Sequence, residues 1–129
     1  MEQKKHRILI IDDDYDNRQL TKDILQYGGF ETYDFASPQL ALDAFRQNPN
    51  FYDFVVIDIW LDELDGIQVY SEIKKLSPTS KVFIFTGMEI KSNEFKKLCP
   101  SFDERQVIKK PIKVNTLINT ITNVYTNSE

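Results

Sequence analysis

Ile8-Leu9-Ile10-Ile11-Asp12-Asp13-Asp14 is the stretch that decides the fold: four consecutive apolar residues run straight into three carboxylates. The same arrangement recurs. Phe54-Val55-Val56-Ile57 ends in Asp58, Val82-Phe83-Ile84-Phe85 ends in Thr86, and Val107-Ile108 leads into Lys109-Lys110-Pro111. Unbroken apolar runs of this length, as opposed to alternating ones, suit strands covered on both faces. If the four are parallel strands of one sheet, every polar terminus emerges along its carboxyl edge, where open α/β sheets bind ligands. An acid pair, a lone acid, a hydroxyl and a lysine are together sufficient to receive a divalent cation and a phosphoryl group.

The segments between the runs have helical spacing. Arg18 to Leu25 reads as a helix closed by Gly28-Gly29, since glycine suits a helix C-terminus. Phe30 to Phe35 alternates apolar and polar, as an edge or near-edge strand does. Ser37-Pro38 reads as an N-cap with proline at the first helical position; Leu40, Ala41, Ala44 and Phe45 form the apolar face of that helix. After Asp65-Gly66, the repeat Ile67, Tyr70, Ile73, Leu76 marks another helix, closed by Ser77-Pro78. The last, from about Val114 to Tyr125, carries Val114, Leu117, Ile118, Ile121, Val124 and Tyr125 on one stripe. Between Gly87 and Arg105 the pattern is weakest, and Pro100 would stop any helix early; a short or irregular fourth helix is expected there. Strand and helix thus alternate five times, which predicts an α/β doubly wound five-stranded parallel sheet with right-handed crossovers.

At 129 residues the chain fits one domain, 1–129 with its core at about 6–125, because domains cluster at roughly 100–150 residues. A net charge of −4 supplies no basic field to gather phosphates, so direct nucleic-acid binding is not expected. The single cysteine, Cys99, excludes an internal disulfide and fits a reducing compartment. No signal peptide is read at the start, and no apolar run approaches the roughly 20 residues of a membrane helix. A soluble cytoplasmic protein is expected.

Asp12, Asp13 and Asp58 would meet at adjacent strand ends. Like charges 4 Å apart repel by about 4 kcal/mol at an effective dielectric near 20, so such a cluster calls for a compensating cation. Hard oxygen donors with retained waters favour Mg²⁺. The plainer reading, that these acids cap the following helix, is the stronger one for Asp14 and Asp16. Asp58 can accept a phosphoryl group as an acyl phosphate. Such a transfer needs alignment and charge compensation more than covalent assistance. Lys110 would supply a point charge and Thr86 a hydrogen bond. Each also has a bland alternative: Thr86 as a good strand former, Lys110 as a surface lysine before a turn proline. It is the set, at four separate strand ends in this order, that points to chemistry.

With these motifs in view the chain resembles a response-regulator receiver domain, the phosphoacceptor module of two-component signalling. The residues that carry the likeness are Ile10 to Asp14, Val56 to Leu61, Leu64-Asp65-Gly66, Phe85-Thr86-Gly87 and Lys110-Pro111. The resemblance implies a flavodoxin-like strand order of 2-1-3-4-5. It implies that Asp58 is phosphorylated by a histidine kinase or histidine phosphotransfer protein. Asp13, Asp58 and the backbone carbonyl of Trp60 would bind Mg²⁺ directly, Asp12 would act through a metal-bound water, and Thr86 and Lys110 would contact phosphoryl oxygens. It also implies a cis Lys110–Pro111 bond.

The sequence departs from the family pattern at four places. Asp62 stands where a proline is usual, Val107 where an aromatic switch residue is frequent, and Cys99-Pro100 lies in a segment lacking the usual Gly-Ala. Trp60 and Met88 flank the site, where bulk could exclude the water that removes the phosphoryl group; slow self-dephosphorylation is expected. A stand-alone receiver that signals through protein contacts to a downstream partner, and not a turnover enzyme, is the expected function. A receiver-like interaction module without phosphorylation is the alternative. An aspartate-nucleophile phosphohydrolase would commonly carry a second acid at position 60, which is Trp60. The uncharged Asn and Thr face of the last helix is either a solvated side or a homodimer surface.

Overall fold

The apolar runs form strands, and their neighbours in the sheet are strands of the same kind. In the computed structural model, which describes residues 6–58, 63–86, 107–109 and 118–119, the elements in chain order are β1 (Arg7–Ile11), α1 (Tyr15–Tyr27), β2 (Glu31–Phe35), α2 (Pro38–Gln47), β3 (Phe54–Asp58), α3 (Glu63–Leu76), β4 (Lys81–Thr86) and β5 (Val107–Lys109). The five strands pair in parallel in the order β2-β1-β3-β4-β5. The doubly wound sheet and its order are therefore as expected.

Alternation along each strand sorts its side chains to two faces. Leu9, Ile11, Val55, Ile57, Val82 and Ile84 pack with Ala41, Leu42 and Phe45 of α2 and with Val69, Tyr70 and Ile73 of α3. Ile8, Ile10, Phe54, Val56 and Phe83 pack on the other face with Ile24 and Leu25 of α1, joined by Ile118. Both faces of the central strands are thus closed to water, which explains why they read as continuous apolar runs. The edge strand β2 is only partly covered, and it alone alternates.

Local signals set most helix ends. Asp14 caps α1 by accepting the Asn17 N–H at 2.9 Å, and Ser37 caps α2 by accepting the Leu40 N–H at 3.3 Å with Pro38 at the first turn. Gly29 follows α1 with φ at +91°, a left-handed conformation that costs a side-chain-bearing residue roughly 1–2 kcal/mol. Its neighbour Gly28 is needed for space: a Cβ there would sit 3.0 Å from Ile118.

Expectations for two helices are corrected. The exposed and buried leucines of α2 are reversed, with Leu40 60% exposed and Leu42 7%. The helix has a second layer to pack on, α3, and this turns its buried stripe towards residue 42. Helix α3 begins at Glu63, ahead of Asp65-Gly66, and buries Val69, Tyr70 and Ile73 while Leu76 is 36% exposed. Gly66 is thus inside the helix, where its lack of a side chain is tolerated at a cost of up to about 1 kcal/mol against alanine. The short or irregular fourth helix falls outside the described residues. So does the final helix apart from residues 118–119, which are helical.

Tyr33, Phe51, Tyr52 and Phe45 form an aromatic cluster with centroid separations of 5.0–6.0 Å. Tyr33 donates to Glu31 at 2.6 Å. That hydrogen bond and then burial raise the Tyr33 hydroxyl pKa above its ordinary value, and burial alone raises that of Tyr52.

Candidate functional site

Strand register puts the predicted acids side by side. Ile11 of β1 pairs with Ile57 of β3, and one step further Asp12 and Asp58 stand level at the carboxyl ends of two adjacent strands. On the far side of β3, Asp58 pairs with Phe85 of β4, so Thr86 follows one residue beyond. Thr86 in turn pairs with Lys109 of β5, the residue before Lys110. The backbone of three strands therefore brings Asp12, Asp58 and Thr86 to one edge, as the sequence predicts. Lys110 and Trp60 lie outside the described residues.

Asp12 is 3% exposed and is fixed on several sides. Its N–H donates to the Phe35 carbonyl at 3.1 Å, which extends the β1–β2 ladder by one step. Its carbonyl accepts from Arg18 Nη1 at 2.9 Å, and its Oδ1 accepts the Asp14 N–H at 2.9 Å. Asp13 is exposed and Asp58 is half-buried. Asp14, already engaged as the cap of α1, takes the plainer role read for it.

Arg18 and Asp34 were not singled out by sequence. Arg18 Nε contacts Asp34 Oδ2 at 3.1 Å, and Lys22 Nζ reaches Asp34 Oδ1 at 3.8 Å. The signal available in sequence is weak: an arginine four residues after a cap, where helical side chains lean back towards the N-terminus. Its acidic partner is 16 residues away on β2.

The donors suit a hard divalent cation: carboxylate oxygens on adjacent strand ends, with an exposed member open to solvent. Among the described residues no three His, Cys, Asp or Glu side chains converge as a metal-holding group. That is compatible with Mg²⁺, which keeps several waters and binds through one or two carboxylates plus substrate phosphate, without a dedicated protein cage. The residues present fit that ion.

Comparison with known proteins agrees with this geometry. The sequence profile of the response regulator receiver domain matches residues 8–122. Chemotaxis protein CheY of Bacillus subtilis is 34% identical over 84 residues, spanning 64% of this chain and 68% of its own. Response regulator receiver protein CpdR of Brucella abortus is 26% identical over 118 residues, spanning 89% and 92%. Among solved structures, the crystal structure of a response regulator receiver domain protein from Clostridium thermocellum is similar with a TM-score of 0.82 at 28% identity, covering 95% of this chain and 96% of that one. No helix among the described residues is long and apolar enough to cross a membrane.

Proposed function

The chain belongs to the response regulator receiver family, and from that membership we propose that it is a Mg²⁺-dependent phosphoacceptor of a two-component phosphorelay, phosphorylated on Asp58. Receiver domains are signalling domains, and this one is read as a single domain that passes its signal through protein contacts. The observation that carries the reading is the level placement of Asp58 beside Asp12, with Thr86 next along the edge.

A carboxylate oxygen of Asp58 attacks the phosphorus of a phosphohistidine borne by a histidine kinase or phosphotransfer protein. The P–N bond breaks, its electron pair stays on the imidazole nitrogen, and Asp58 becomes an acyl phosphate. Mg²⁺, when bound, neutralises charge on the phosphoryl oxygens. Asp13, Asp58 and the Trp60 carbonyl would hold it, and Asp12 would act through a water bound to it. Thr86 donates to one phosphoryl oxygen and Lys110 pairs with another. The family's signalling role and the single cysteine support a cytoplasmic location.

Incubation with acetyl phosphate and Mg²⁺, followed by intact mass, tests the proposal. Wild type is expected to gain one phosphoryl group only with Mg²⁺, and Asp58→Asn none. No gain by wild type, together with no Mg²⁺ binding on titration, would leave an interaction module that does not use phosphorylation.

A further inference from the structure

We infer that Arg18 is a positioning residue for the acid pair, an inference that rests on the phosphoacceptor reading above. Three hydrogen bonds and one peptide link form a closed ring: Asp12 N–H to the Phe35 carbonyl, Phe35 to its chain neighbour Asp34, Arg18 Nε to the Asp34 carboxylate, and Arg18 Nη1 back to the Asp12 carbonyl. The Arg18 and Asp34 side chains are 12% and 22% exposed. Arg18 also lies over the Tyr15 ring, 5.5 Å from its centroid.

The carbonyl that Arg18 holds belongs to the peptide unit joining Asp12 to Asp13. Peptide units are planar, so fixing that oxygen fixes the plane from which Asp13 departs. A guanidinium suits the task because its rigid fork reaches a carbonyl and a carboxylate at once and stays charged at every working pH. A lysine could offer only a single point of contact.

The sign of the effect separates positioning from charge. Arg18 and Lys22 are both cations flanking an acid cluster, with one acid, Asp34, between them. If Arg18 acted only through its field, removing it would strengthen attraction for a cation. If it holds the acids in place, removing it weakens binding. Partners that orient metal ligands typically contribute 10–100-fold in metal affinity, and the lower end applies here because only part of the ligand set is held.

Mg²⁺ titration of the full chain, followed by amide resonances in two-dimensional NMR, decides between these. The dissociation constant is expected to rise roughly tenfold in Arg18→Ala, with a folded spectrum and a shifted Asp14 amide, whose acceptor is Asp12 Oδ1. Arg18→Lys is expected to recover only part of the affinity, and it carries the comparison if the alanine variant unfolds. An unchanged or lower dissociation constant in a folded Arg18→Ala overturns the inference, as does full recovery by lysine. Wild type binding no Mg²⁺ overturns the phosphoacceptor reading and this inference with it. Normal wild-type binding with an indifferent Arg18→Ala overturns the inference alone.

Discussion

Replacing Asp58 by asparagine keeps the shape of the side chain and removes its charge, and the metal-free protein is expected to become more stable. Register sets Asp58 level with Asp12, and adjacent strands lie about 4.8 Å apart. Two carboxylates at roughly 5 Å repel by about 3 kcal/mol at an effective dielectric near 20. Asp12 is 3% exposed but Asp58 is half-buried and partly solvated, which reduces the expected gain to about 1–2 kcal/mol. For a chain of this size that is a rise in Tm of roughly 3–8 °C. The assay is thermal and urea unfolding in EDTA, repeated in excess Mg²⁺. Wild type gains about 2.7 kcal/mol from an ion at a hundred times its dissociation constant. The variant, lacking one ligand, gains less, so the difference narrows or reverses. An asparagine variant less stable than wild type in EDTA, or equal gains from Mg²⁺, would refute the view that repulsion between these two acids dominates at this strand edge.

Phe45→Ala empties a fully buried site between α2 and the sheet, where the ring stacks on Tyr52; urea unfolding should show a loss of about 3–5 kcal/mol. Gly29→Ala forces a side chain into φ +91° with nothing near it to clash, so the expected loss of about 1–2 kcal/mol is backbone strain alone. Of six tyrosines, Tyr33 and Tyr52 should ionise above the ordinary value of 10.0 in a 295 nm titration. A raised folded pKa means that the folded state holds the proton more tightly, so this stability is present below about pH 10 and is lost as pH climbs through the folded value. Tyr33→Phe removes the hydrogen bond to Glu31, and the alkaline fall in stability should become shallower.

The existence and type of the described elements were legible because their causes are local. A strand buried on both faces must be apolar at every position, so β1, β3 and β4 announce themselves as runs. A helix start needs an oxygen acceptor, and Asp14 and Ser37 supply one. Where local causes compete, sequence misled. Leu40 and Leu42 are equally apolar, and only the presence of α3 beside α2 decides which is buried. Gly66 looks like a boundary, yet tertiary packing carries the helix through it.

The candidate site divides in the same way. Sequence alone determined that carboxylates, a hydroxyl and a lysine follow the strands, and hence that they belong to one edge if the strands are parallel. It could not determine that Asp12 stands level with Asp58, because two residues 46 positions apart are aligned by register, which a slip of one residue would change. Nor could it show the bridge from Arg18 to Asp34 and the Asp12 carbonyl. That contact joins a helix and two strand ends, and no periodicity within any of the three encodes it. Composition and spacing put the candidate groups at the strand ends; the packing of α1 against β1 and β2 decided which side chains brace Asp12 there.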